Sequence, residues 1–78
     1  MPISKLAKPG VNYQRVIALR KKRGWTTTEL AKRAEISVRR AFYLEHGEVT
    51  NVTAITLKRL AQVLGTSTDF LLDLTDKP

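Results

Sequence analysis

Apolar residues recur at spacings of three and four along most of this chain, and no stretch alternates with the two-residue period of a strand. The pattern predicts five helices. The first runs from about Asn12 to Arg23, with Tyr13, Val16, Ile17 and Arg20 on one face and Leu19 beside it. The second opens at Thr26, where Thr26-x-x-Glu29 fits a capping box that satisfies otherwise unpaired N–H groups. Trp25 and Leu30 fit the hydrophobic staple around that cap, and the helix continues to Ala34. Ile36 then points inward, and Ser37 caps a third helix reaching Glu45, with Ala41 and Leu44 as its core positions. The fourth starts at the cap residue Thr53 and stops before Gly65. Its stripe of helical period is Ala54, Leu57, Leu60, Ala61 and Leu64. The fifth starts near Ser67 and carries Phe70, Leu71, Leu72 and Leu74. Gly24, Gly47 and Gly65 stand where helices should stop, because glycine enters the left-handed conformation at little steric cost. Pro2, Pro9 and Gly10 make residues 1–11 read as a flexible arm, 12–74 as one domain and 75–78 as a frayed end.

The second and third helices are short and joined by about three residues, which forces close packing at the elbow. Ala31 is small enough for the third helix to cross over the second, and Ile36, Ala41 and Leu44 fill the inside of the bend. The outward side of the third helix is left with Val38, Arg39, Arg40 and Tyr43. This is the pattern of a helix-turn-helix, whose second helix enters the major groove of DNA.

Composition narrows the alternatives. Seventy-eight residues have room for one core and no second domain. With no cysteine and one histidine, His46, neither a disulfide nor a thiolate or histidine metal cluster is expected. There is no phosphate-cradling glycine-rich loop and no evident carboxylate pair, so neither an enzyme nor a cofactor is expected. His46 is better read as a loop-edge residue near DNA than as a catalyst. No apolar run has signal-peptide length or the roughly 18 residues needed to span a membrane, so the chain reads as cytoplasmic and nucleoid-associated.

Charge changes the picture most. Fourteen Lys and Arg against seven Asp and Glu give +7 and a pI near 10.3, a surplus suited to a polyanion. Residues 1–40 hold eleven basic and two acidic side chains, whereas residues 41–78 hold three and five. Lys21, Lys22 and Arg23 also suit the end of the first helix, where cations complement the helix dipole. A basic amphipathic helix could bind an anionic membrane. Here the apolar face of the first helix is better used in the core, and no membrane partner is expected.

From Arg15 to Leu72 the chain resembles the Xre-type family of phage Cro and cI repressor domains. The signatures are Val16-x-x-Leu19-Arg20 with Gly24-Trp25-Thr26, Glu29-Leu30-Ala31, Ile36-Ser37 and Leu44-Glu45-x-Gly47. Leu57-x-x-Leu60-Ala61-x-x-Leu64-Gly65 and Ser67-Thr68-Asp69-Phe70-Leu71-Leu72 complete them, over about three quarters of the chain. Singly each is weak; in this order they are specific. The resemblance implies an all-α, five-helix lambda-repressor-like bundle that binds double-stranded DNA as a transcriptional regulator. Repression is the default, because nothing resembles an activation or ligand-sensing domain.

The resemblance also implies roles. Arg20 pairs with Glu45 at the end of the recognition helix. Thr26 and Thr27 sit against the DNA backbone, helped by the N–H groups of a helix start. Arg40, Thr50 and Asn51 are further phosphate contacts. Val38, Arg39 and Tyr43 are the base readers: Arg39 suits guanine O6 and N7, and Val38 a thymine methyl. Two features depart from the family. Glu35 holds the elbow position usually occupied by glycine, at a cost of about 1 kcal/mol if its φ is positive. Phe42 and Tyr43 replace small polar side chains; Tyr43 is assigned to DNA and Phe42 is expected to pack sideways on the bundle. Phe70, Leu71 and Leu74 either close the core or form a homodimer surface. The competing reading is a protein-interaction module on the same fold, such as an antitoxin binding a toxin.

Overall fold

The computed structural model describes residues 10–48 and 52–77, which form five α-helices and no strand among them. They are α1 (Tyr13–Lys22), α2 (Thr27–Ala34), α3 (Val38–Glu45), α4 (Ala54–Leu64) and α5 (Thr68–Leu71). Each helix starts on the side-chain oxygen of a cap residue, which accepts from first-turn N–H groups. The caps are Asn12, Thr26, Ser37, Thr53 and Ser67. At Thr26 the capping box is complete. Its Oγ1 accepts from the Glu29 N–H at 3.1 Å, and its own N–H donates to Glu29 Oε1 at 2.8 Å.

The core gathers Val16 from α1, Leu30 and Ala34 from α2, Leu44 from α3, Leu60, Ala61 and Leu64 from α4, and Leu71 from α5. Ile36, Trp25, Leu57 and Phe70 pack around it. Ala54, expected in the α4 stripe, is exposed, because it lies in the first turn before the helix reaches the core. α2 packs on α3 and α4, while α1 packs on α3, α4 and α5.

Both ends of the domain are tied to its body. Residues 1–9 of the expected arm lie outside the described residues, but Val11 is a buried core residue and belongs to the folded body. The adjacent Asn12 N–H donates to the Leu71 carbonyl at 2.7 Å. At the other end, α5 is a single turn. Asp73 takes a left-handed φ of 63° just beyond it, so Leu74 leaves the helix and stands 70% exposed. The tail that follows is not loose at its start. Arg15 donates through Nη1 to the Phe70 and Thr75 carbonyls at 2.8 and 2.7 Å. It also pairs with Asp73 and Asp76 and lies 4.1 Å over the Phe70 ring. Arg15 thereby links the chain after α5 to α1.

The elbow between α2 and α3 is tight. Glu35 adopts the left-handed conformation, with φ 59° and ψ 42°. Its N–H and that of Ile36 fold back onto α2, the latter onto the Ala31 carbonyl at 3.0 Å. Arg59 lies 3.6 Å from the exposed Glu35 carboxylate. Ala31 and Ala34 are completely buried at the crossing, where larger side chains would hold the two helices apart.

Candidate nucleic-acid interface

Helix α3 is positioned by one hydrogen-bonded group beneath it. Arg20, in the last turn of α1, donates from Nε to Glu45 Oε2 at 2.7 Å and from Nη1 to the Trp25 carbonyl at 2.7 Å. Thr27, the first residue of α2, donates its hydroxyl proton to Glu45 Oε1 at 3.0 Å. Glu45 is 8% exposed, a charged residue that is buried. Both of its oxygens are thus satisfied, by two different elements. The end of α1, the start of α2 and the end of α3 meet on this carboxylate, which fixes the direction in which α3 points.

This arrangement changes the reading of Thr27. Its hydroxyl proton is committed to Glu45, so the side chain cannot also donate it to a phosphate. What Thr27 can offer outward is its backbone N–H, one of the unpaired donors of a helix start. Thr26 keeps its hydroxyl proton, since that oxygen acts as acceptor in the capping box. Thr28, exposed beside them, was not singled out from the sequence, though the run of three threonines was a visible signal. Glu29 carries a negative charge at the same helix end. Its bond from the Thr26 N–H holds its carboxyl below the usual glutamate range against an opposing effect of desolvation, with lesser help from the Thr26 hydroxyl, Arg33 and Lys32.

The outer side of α3 is open. With about 3.6 residues per turn, buried Ala41, Leu44 and Glu45 lie opposite Arg39 and Tyr43. Val38 and Phe42 form one flank and Arg40 the other. All five are exposed, and neither Arg39 nor Arg40 has an ion-pair partner among the described residues. Phe42 does not pack on the bundle as expected. It is 52% exposed, and its ring rests on that of His46 with centroids 4.5 Å apart. The helical register explains this, because Phe42, four residues beyond Val38, is turned further from the buried side than Val38 is.

His46 ends α3, and its Nδ1 lies 2.7 Å from the Phe42 carbonyl, which can only accept. Gly47 follows with φ 74°, and any Cβ there would strike the Tyr13 ring. Thr50 and Asn51, two of the expected phosphate contacts, lie outside the described residues. Elsewhere on the surface, the Arg23 and Arg33 guanidiniums lie 5.4 and 4.4 Å from the Trp25 ring centre. No group of three His, Cys, Asp or Glu side chains suited to a metal occurs among the described residues, and no helix there is long and apolar enough to cross a membrane.

Two short helices crossing at a tight elbow, with the second presenting an open basic face, define a DNA-binding helix-turn-helix domain. Comparison agrees: residues 16–71 match the helix-turn-helix family, and the chain belongs to its Cro/cI-like, Xre-type members. The fold is similar to the N-terminal DNA binding domain of SinR from Bacillus subtilis, at 31% identity and a TM-score of 0.74. That match covers 78% of this chain and 88% of the other. A SinR protein/SinI protein complex matches with the same identity and TM-score, over 78% of this chain and 59% of that one. No curated protein matches. The chain is a DNA-binding transcription regulator with an all-α fold.

Proposed function

We propose that the protein is a repressor that binds specific double-stranded DNA by inserting α3 into the major groove. The observation that carries this reading is the outer face of α3: Val38, Arg39, Arg40 and Tyr43 are exposed on a helix whose direction is held by the Arg20–Glu45 pair. Base contacts come from Val38, Arg39 and Tyr43. Arg39 grips a guanine through O6 and N7, a geometry that the planar guanidinium matches. Arg40, the Thr26 hydroxyl and the N–H groups at the start of α2 hold phosphates, with Thr50 and Asn51 completing the set. Such contacts set affinity and register, while the base contacts choose the sequence.

One small domain makes few base contacts, so a specific site takes two copies on half-sites about one helical turn apart. Leu71 is fully buried and is withdrawn from the expected dimer surface. Phe70 is half-covered by Arg15, which leaves exposed Leu74 as the apolar residue free to meet a second subunit. The protein works in the cytoplasm on the nucleoid.

The test is Arg39→Ala in quantitative DNA binding. The expected loss is about 1–3 kcal/mol, confined to one base position. Equal losses on operator and random DNA would reduce Arg39 to a phosphate contact. A second reading, a protein-interaction module such as an antitoxin, has one observation in its favour: a similar domain occurs in the SinR protein/SinI protein complex. Co-purification of a toxin in place of operator binding would favour it.

A further inference from the structure

The outer face of α3 is chemically divided. Arg39 and Tyr43 carry hydrogen-bonding groups, as a reader of base edges must. Val38 and Phe42, four residues apart on the neighbouring flank, carry none, and both are large apolar side chains left open, Val38 at 45% and Phe42 at 52%. His46 closes the far end of this flank. Since its Nδ1 is bonded to the Phe42 carbonyl, Nε2 is the one remaining polar atom of its ring, which lies tilted at 40° beside the Phe42 ring. The tilted imidazole sits beside the Phe42 ring, so the flank continues from Val38 through Phe42 as an apolar ledge.

We infer that Phe42, flanked by His46, is a specificity-determining residue that reads thymine 5-methyl groups alongside Val38. The inference rests on the proposed insertion of α3 into the major groove. A surface without donors or acceptors cannot tell one base-edge hydrogen-bond pattern from another. In the major groove it can register the one apolar group displayed there, the methyl of thymine. The ledge is about one helical turn long, roughly 5.4 Å, against about 3.4 Å between successive bases of a strand. It therefore spans two adjacent base pairs and favours a run of thymines on one strand. The neighbouring Arg39 and Arg40, without ion-pair partners among the described residues, supply the charge complementarity that brings this apolar surface against a polyanion rather than against an apolar protein face.

The experiment uses the operator duplex selected from random DNA, with each thymine replaced in turn by uracil, which removes the 5-methyl group and leaves base pairing unchanged. Wild-type protein should lose about fourfold in affinity at each of one or two thymines, the worth of one methyl. Phe42→Ala should bind the unmodified operator more weakly and be indifferent to uracil at one of those positions. Val38→Ala should lose sensitivity at the adjacent one. His46→Ala, which removes the imidazole beside the ring, should reduce the Phe42-dependent sensitivity without abolishing it. Phe42 is exposed, and an unchanged melting temperature will show that the variant is folded. If wild-type and Phe42→Ala show equal uracil penalties, or no thymine is sensitive, the inference is overturned while DNA reading stands. If no operator is enriched, both fall together. If Phe42→Ala binds the operator as tightly as wild type, the ring is free for a protein contact and the inference also fails.

Discussion

Glu45 accepts from Arg20 on one oxygen and from Thr27 on the other, in a site with little access to water. Replacing such a pair by apolar residues is often harmless, but removing one partner strands the other charge. Glu45→Ala should therefore cost about 3 kcal/mol in urea denaturation and weaken DNA binding further, because α3 loses its anchor. If neither stability nor binding changes, the pair is idle. Glu35 poses the opposite case, a residue in a conformation it does not favour. Glu35→Gly should raise stability by up to about 1 kcal/mol, less whatever the exposed contact to Arg59 contributes. A loss on that substitution would mean that the side chain matters more than its backbone. The left-handed turn at Glu35 was legible because the resemblance places a glycine there. The engagement of Thr27 was not, since the partner lies 18 residues away and only the folded crossing of α2 and α3 brings it within reach. The exposure of Phe42 was misread because size suggested packing, whereas the register of α3 turns it outward.

Helix α2 has the strongest start signal in the sequence, and the capping box is present as read. That signal is legible because it depends on residues three apart. Its charge makes it sensitive to acid. The folded Glu29 carboxyl has a lowered pKa, so the charged form is favoured by folding. Its contribution is complete above the unfolded glutamate pKa and is lost as pH falls through the folded value. The stability gap between wild type and Glu29→Gln, followed by urea denaturation against pH, should be constant near neutrality and close on acidification below the usual glutamate range. A gap that does not change with pH would show that the carboxylate charge plays no part in the cap. Helix α5 was harder to read. A leucine-rich run looks like one continuous apolar helix, but the left-handed Asp73 ends it after one turn and divides the leucines between core and solvent. The clasp from Arg15 to Phe70, Thr75 and Asp76 joins residues about 60 apart, and no local pattern announces it.

Two charged groups stand apart from one another along the chain. α3 presents Arg39 and Arg40 beside the threonine-rich start of α2, while Asp73 and Asp76 gather around Arg15 at the end where the tail meets α1. Association with DNA should accordingly weaken as salt rises, because each phosphate neutralised releases counterions. Salt dependence alone does not distinguish a repressor from a nonspecific cation. Whether α3 reads sequence is decided by selection of binding sites from random double-stranded DNA, repeated across salt concentrations. The expected result is an enriched palindrome with half-sites about one helical turn apart, carrying a guanine opposite Arg39 and retained as salt rises. Recovery of unenriched DNA at every salt concentration, with affinity falling steeply as salt increases, would contradict it.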